Sequence, residues 1–259
     1  VPLTAAPAPA PAYGRLLING LLAGLIAGLL AGGFAFFFGE PHVDAAIALE
    51  EAAAVAAGDT GGGEEPLVER DVQSGFGLIL ATSLYGIALG GMFATGYTVL
   101  RRRLRASSDA RASLGLAGAV LLGFVLVPFV KYPPNPPAVG DPATINQRTI
   151  TYLAMVVIGL VAVWAGVVAA RTQAPEWRKA LAGVAGFVVV VAIGYALLPS
   201  FNEVPETFPA TLLWDFRLSS LGTQVVLWTV LGLGFTALLA RSHTPAAEAE
   251  KSEPVAVSR

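Results

Sequence analysis

The sequence predicts an all-α, polytopic membrane protein: a bundle of six transmembrane helices with N- and C-termini cytoplasmic. Three observations predict it. Six long stretches, residues 16–38, 76–100, 112–130, 149–170, 180–199 and 218–240, contain no Asp, Glu, Lys or Arg. A bilayer core takes about 20 apolar residues per helix, and each stretch meets or approaches that length. Charged residues make up only 13% of the chain, against about 25% in soluble domains, as expected if most of the surface faces lipid. Finally, the basic residues segregate to alternate connections, which fixes an orientation.

With the N-terminus cytoplasmic and the spans alternating, twelve Lys/Arg fall inside and four, Arg70, Lys131, Arg148 and Arg217, fall outside. Positive charge retained on the cytoplasmic side is the rule for such proteins. Thirteen of the 18 acidic residues lie outside, which leaves the outer face at −9 and the inner face at +7. Acids contribute little to insertion, so topology does not account for their bias. A negative outer face concentrates cations.

Residues 1–13 are rich in Pro and Ala and read as a disordered cytoplasmic tail. The membrane domain spans 14–241, with an outer acidic segment at 40–75, and 242–259 reads as a second disordered tail. The first span carries Gly20, Gly24, Gly28 and Gly32, one small residue per turn, and Gly86 and Gly90 repeat the spacing in the second. In lipid such a stripe lets backbones approach closely, inside the bundle or in a homo-oligomer. Residues 40–57 read as a helix on the outer side, with Pro41 in its first turn. Residues 58–63 form a Gly-rich break. Arg101 to Arg105 form a basic cluster at the inner surface, and 130–142 is a stiff, Pro-rich outer loop.

Several chemistries are excluded. Cysteine is absent, so there is no disulfide, thiolate ligand or cysteine nucleophile. No P-loop, HExxH or GxSxG motif occurs. With two histidines in all, no transmembrane histidine pair can ligate haem. Neither an enzyme, a bound cofactor nor a nucleic-acid partner is expected. The charge-free spans also argue against a buried carboxylate proton relay. A polar route must use Asn19, Thr82, Ser83, Tyr85, Thr95, Tyr97, Tyr195, Gln224 and backbone carbonyls.

The outer ends carry the candidate cation chemistry. Glu40, His42, Asp44, Glu50 and Glu51 lie within twelve residues, above the first span. Glu40, Asp44 and Glu51 share one helix face at i, i+4, i+11. Imidazole with carboxylate oxygen suits a borderline divalent metal, so Glu40, His42, Asp44 and Glu51 are the candidate ligands. His42 points away from the others in a regular helix and could join them only through a non-helical start at Pro41. Asp215 and Arg217 sit at the mouth of the last span and, at i, i+2, cannot pair with each other. Arg217 or Lys131 is a candidate to neutralise the empty carboxylate site.

Four segments carry a family resemblance: GLLAGLIAGLLAGG at 20–33, GEPHVDAAIALEE at 39–51, KYPPNPPAVGDPATINQRT at 131–149 and LLWDFRLSSLGTQ at 212–224. In this order they resemble the CbtA family of predicted cobalt transporter membrane subunits, over roughly residues 14–239. The resemblance implies transport of Co²⁺ or a similar divalent ion, uptake being the expected direction, across a bacterial plasma membrane. It also implies a small one-span partner with a His-rich end, which would relieve the ligand shortage. It carries over no proven ligand residue. A non-transporting scaffold subunit and a carrier for a cobalamin-related organic solute are the alternatives.

Overall fold

The computed structural model describes residues 12–58, 68–104 and 106–241. The expected tails at 1–11 and 242–259, most of the Gly-rich break, Glu64, Glu65 and Arg105 lie outside the described residues. Among the described residues every regular element is helical. They are α1 (Tyr13–Phe38), α2 (Glu40–Ala56), α3 (Arg70–Val72), α4 (Leu78–Leu104), α5 (Asp109–Val120), α6 (Val127–Lys131), α7 (Ile145–Arg171), α8 (Glu176–Leu197) and α9 (Ala210–Arg241). A π-helical segment, Gln73–Gly77, joins α3 to α4, and another, Leu121–Leu126, joins α5 to α6. Six helices are therefore long and apolar enough to cross a bilayer: α1, α3–α4, α5–α6, α7 with the short Pro142–Thr144 turn before it, α8 and α9. The chain is a multi-pass membrane protein, consistent with a bacterial plasma membrane.

Every spanning helix extends past its apolar run at one end or both. The largest extension is at α9, which starts at Ala210 rather than 218 and so carries Asp215 and Arg217 on its first two turns. At 1.5 Å per residue its 32 residues span about 48 Å, more than the ~30 Å hydrocarbon core. The charged turns therefore stand in the interfacial zone, where an apolarity criterion is blind to them.

The crossing of α1 and α4 centres the bundle. Gly20, Gly24 and Gly28 of α1 lie against Gly90, Gly86 and Thr82–Ser83 of α4, backbone on backbone. A Cβ built on Gly86 would stand 2.8 Å from Gly28 Cα, and one on Gly24 would stand 2.9 Å from the Gly86 carbonyl carbon. Helices in lipid gain nothing from hiding apolar surface from one another, so dispersion at close range must hold them. The glycine face of α1 is thus filled within the chain and is not free for a homo-oligomer.

Helix α9 packs on α1, and α5 packs on α9. Phe93, Tyr97 and Phe235 interlock edge-to-face at 5.2 Å in the resulting core, and Ser113 and Thr236 share a 2.6 Å hydroxyl hydrogen bond. Helices α7 and α8 form a hairpin outside this four-helix core. It attaches through a second glycine crossing, Gly123 of the π segment against Gly159 of α7. The carbonyl carbon of each lies 3.0 Å from a Cβ built on the other. Helix α8 contacts only α7 substantially, and Trp177, Leu181, Val184 and Val188 on it are exposed to the lipid zone.

One face of the bundle holds Tyr13, the Arg101 cluster and Arg241. The opposite face holds α2 and the 132–141 and 198–209 loops. These are called the terminal face and the α2 face. Gly86→Ile, which forces a side chain into the Gly28 backbone, should lower stability by about 1–3 kcal/mol. Gly33→Ala, where nothing lies within 4 Å, should leave it unchanged or raise it by up to about 1 kcal/mol. Thermal unfolding of the detergent-purified variants, followed by size-exclusion fluorescence, checks both.

Candidate functional site

Two groups of ionisable residues occupy the α2 face. The first stands on the junction of α1 and α2. Gly39 separates the two helices by one residue, donating its N–H to Ala35 O at 2.7 Å. Helix α2 then starts regularly at Glu40 with Pro41 in its first turn. Because that start is helical, Glu40 and Asp44 share a face and His42 does not join them. A single guanidinium meets both carboxylates: Arg70 bonds Glu40 through Nη2, and Asp44 Oδ1 through Nη2 at 2.8 Å and Nε at 3.0 Å. Arg70, rather than Arg217 or Lys131, is the cation paired with Glu40 and Asp44. Glu40 is the more enclosed partner, with 14% of its side chain exposed against 58% for Asp44. Most of the pair's worth therefore rests on Glu40, since exposed ion pairs contribute little.

Glu51 is exposed and lies two turns farther along α2, roughly 10 Å from Asp44 along the axis. Of the candidate ligands Glu40, His42, Asp44 and Glu51, only Glu40 and Asp44 are brought together, by Arg70. Among the described residues no group of three or more His, Asp or Glu side chains is arranged to hold a metal ion.

The second group lines a cavity of about 850 Å³ between the four-helix core and the α7–α8 hairpin. It runs from the 132–139 loop down to Tyr85, Phe124, Tyr152 and Gln224. Gln224 lies two turns below Arg217 on α9, roughly 10 Å deeper. Three basic residues line the cavity, Lys131, Arg148 and Arg217, facing one carboxylate, Glu203. Each basic residue stands at a helix end on this face, so alternation of the spans converges them.

Their partners differ. Arg148 pairs with Glu203 at 3.2 Å. Lys131 Nζ donates to Tyr195 O at 3.0 Å and Ser200 Oγ at 3.2 Å. It also lies 5.6 and 5.8 Å from the Tyr132 and Tyr195 ring centres, within cation–π range. Arg217 donates to Asn135 Oδ1 at 2.8 Å and Pro134 O at 3.3 Å. Among the described residues, Lys131 and Arg217 thus meet only neutral acceptors. The Pro-rich loop supplies some of these, and a left-handed backbone folds it back at Ala138 (φ 66°) and Gly140 (φ 130°). Gly140 permits the fold: a Cβ there would stand 2.6 Å from Arg148 Nη1.

Of the other candidates, Arg217 and Gln224 line the cavity. Asp215 is exposed, with no ion pair or hydrogen bond among the described residues. Asn19 is buried in α1, 21 residues and roughly 30 Å of helix from Glu40, toward the terminal face. Sequence reasoning did not single out Arg148 and Glu203 as site residues. The signal was present: all four basic residues that break the charge rule are engaged here, Arg70 of α3 with the carboxylates of α2 and the other three around the cavity.

Glu203 also ties the two loops together. Its Oε1 accepts from Thr144 Oγ1 at 2.5 Å and its Oε2 from Asp141 N at 2.9 Å. These bonds, the Thr144 hydroxyl first, then the Asp141 amide and the Arg148 charge, hold its carboxyl below the ordinary 4.5.

The family comparison agrees with the sequence resemblance. The model of the CbtA family, described as a probable cobalt transporter subunit, matches residues 13–240. No curated protein and no solved structure matches the chain.

A carboxyl depressed on folding stabilises the structure above its unfolded value, and that contribution is lost as pH falls through the folded one. Hydrogen exchange in a peptide covering 136–145, corrected for intrinsic rate, should show the Asp141 amide protected at pH 6. Protection should fall only below pH 4.5, the ordinary value. Glu203→Gln should be less protected throughout and show no such step.

Proposed function

The chain belongs to the CbtA family of probable cobalt transporter subunits, and on that footing we propose that it is the membrane subunit for uptake of cobalt or a similar divalent ion. In this proposal the α2 face is outside and both termini are cytoplasmic, the orientation that the distribution of Lys and Arg supports. The observation that carries the reading is the family match over nearly all of the membrane region. In this reading the ion is first met at α2.

The acidic α2 face gathers cations. Glu40 and Asp44, held by Arg70, form the capture point. An arriving divalent ion takes over the carboxylate oxygens from Arg70, whose charge keeps the empty site from being an uncompensated pair of anions. Oxygen from carboxylate suits such an ion, but two residues do not complete its shell. A small single-span subunit with a His-rich end supplies the missing nitrogen ligands in this reading. Support for that division of labour is the lack of a three-residue ligand group among the described residues. Entry of a 2+ ion down a 100 mV inside-negative potential releases about 4.6 kcal/mol. No nucleotide hydrolysis in this chain is then needed, and no catalytic role is assigned to it.

Cobalt accumulation by cells under cobalt limitation tests the proposal. Deletion of the gene should reduce accumulation to background, and unchanged accumulation would reject uptake. Glu40→Gln with Asp44→Asn should lower it by about tenfold, equivalent to 1.4 kcal/mol, with the protein still present in the membrane. Full activity of that double variant would leave a scaffold role as the better reading.

A further inference from the structure

We infer that the cavity between the four-helix core and the α7–α8 hairpin is a binding site for a small organic dianion with a flat, apolar body. The inference stands on the cavity itself and does not depend on cobalt uptake.

Charge comes first. Three cations and one carboxylate line the space, a surplus of two positive charges. Among the described residues, Arg148 is spoken for by Glu203, whereas Lys131 and Arg217 are held by carbonyl, hydroxyl and amide oxygens alone. Unpaired cations at the edge of a low-dielectric slab are costly unless an anion joins them. A bare metal cation is repelled by the same field, so this cavity is not a second metal site.

Size and walls come next. About 850 Å³ falls within the range of small-molecule sites, commonly 300–1,000 Å³, and far exceeds what a simple ion fills. Phe129, Tyr152, Phe201 and Pro133 are among the wall residues, a surface that suits a planar apolar body. Two polar atoms on lining residues, Arg148 Nε and Gln224 Oε1, are buried without a hydrogen-bond partner. Buried polar atoms are rarely left so; a ligand carboxylate satisfies the Arg148 Nε donor, and the Gln224 amide, turned over, presents its N–H₂ to the same acceptor.

A dianion of this kind has two sources. It is a soluble aromatic or chelating organic acid, unless the same cationic basin is filled by the anionic phosphate oxygens of lipid headgroups, since the cavity lies at the membrane boundary. The experiment uses the full chain in phosphatidylcholine nanodiscs and phthalate as probe, titrated calorimetrically. Phthalate should bind saturably, and phthalamide, its neutral isostere, should not. Arg217→Gln and Lys131→Met should each weaken phthalate binding by about tenfold, the usual consequence of losing one charged hydrogen-bond donor. Arg217→Lys should retain more affinity than Arg217→Gln, and Arg178→Gln, on the terminal face, should bind as the parent does. Thermal unfolding matched to the parent confirms that each variant is folded. Replacing part of the lipid by phosphatidylglycerol assigns the source: competition with phthalate identifies the headgroup, and its absence identifies a soluble acid. Either result upholds the site. Absence of saturable phthalate binding, equal binding of phthalamide, or full affinity in both charge-removing variants would overturn it.

Discussion

Backbone contact between α1 and α4 is the constraint on which this structure rests. Lipid supplies no force that drives one apolar helix onto another, so the bundle depends on surfaces smooth enough to touch at close range. Gly20, Gly24 and Gly28 provide one such surface and Gly86 with Gly90 the other. Once those helices cross, α9 lies along α1, α5 follows α9, and the interlocked rings of Phe93, Tyr97 and Phe235 fill the space between. The α7–α8 hairpin joins by the same device at Gly123 and Gly159. Because it joins at that crossing, in the third span, it stands apart from the core on the α2 face, and the cavity is the gap that results.

Charge is confined to the ends of this scaffold, and each basic residue on the α2 face is employed. Arg70 closes on Glu40 and Asp44. Lys131, Arg148 and Arg217 surround the cavity. The face is therefore acidic in sum but divided locally: carboxylates on α2, a cationic basin beside α9. The proposed ion capture belongs to the first region and the proposed anion site to the second. A transporter that meets its cargo at one and a carboxylate-bearing ligand at the other keeps opposite charges close without burying either in the span cores.

The fold was legible in the sequence because a bilayer imposes a length and a composition that six runs satisfy. Close packing through the glycine face of α1 was legible because four glycines recur once per turn, but its partner α4 was not named by that pattern. The Gly123–Gly159 crossing was not, since a single glycine on each helix makes no pattern. The start of α9 at Ala210 was hidden because charged residues are tolerated in interfacial turns. Spacing placed Glu40 and Asp44 on one face, but their partner Arg70 comes from 26 residues beyond Asp44, across the Gly-rich segment, and nothing local announces it. His42 and Glu51 share the segment but not the geometry. The cavity forms from several helices and two loops, so only the outlying basic residues hinted at it.

The central claim is that the α2 face, with its acids and its cavity, opens to the outside. A chain without cysteine permits a direct measurement: Asn135→Cys at the cavity mouth and Ser108→Cys on the terminal face, each tested in intact cells with a membrane-impermeant maleimide. The account predicts that Asn135→Cys is labelled from outside and Ser108→Cys only after the cells are permeabilised. The reverse pattern would contradict it.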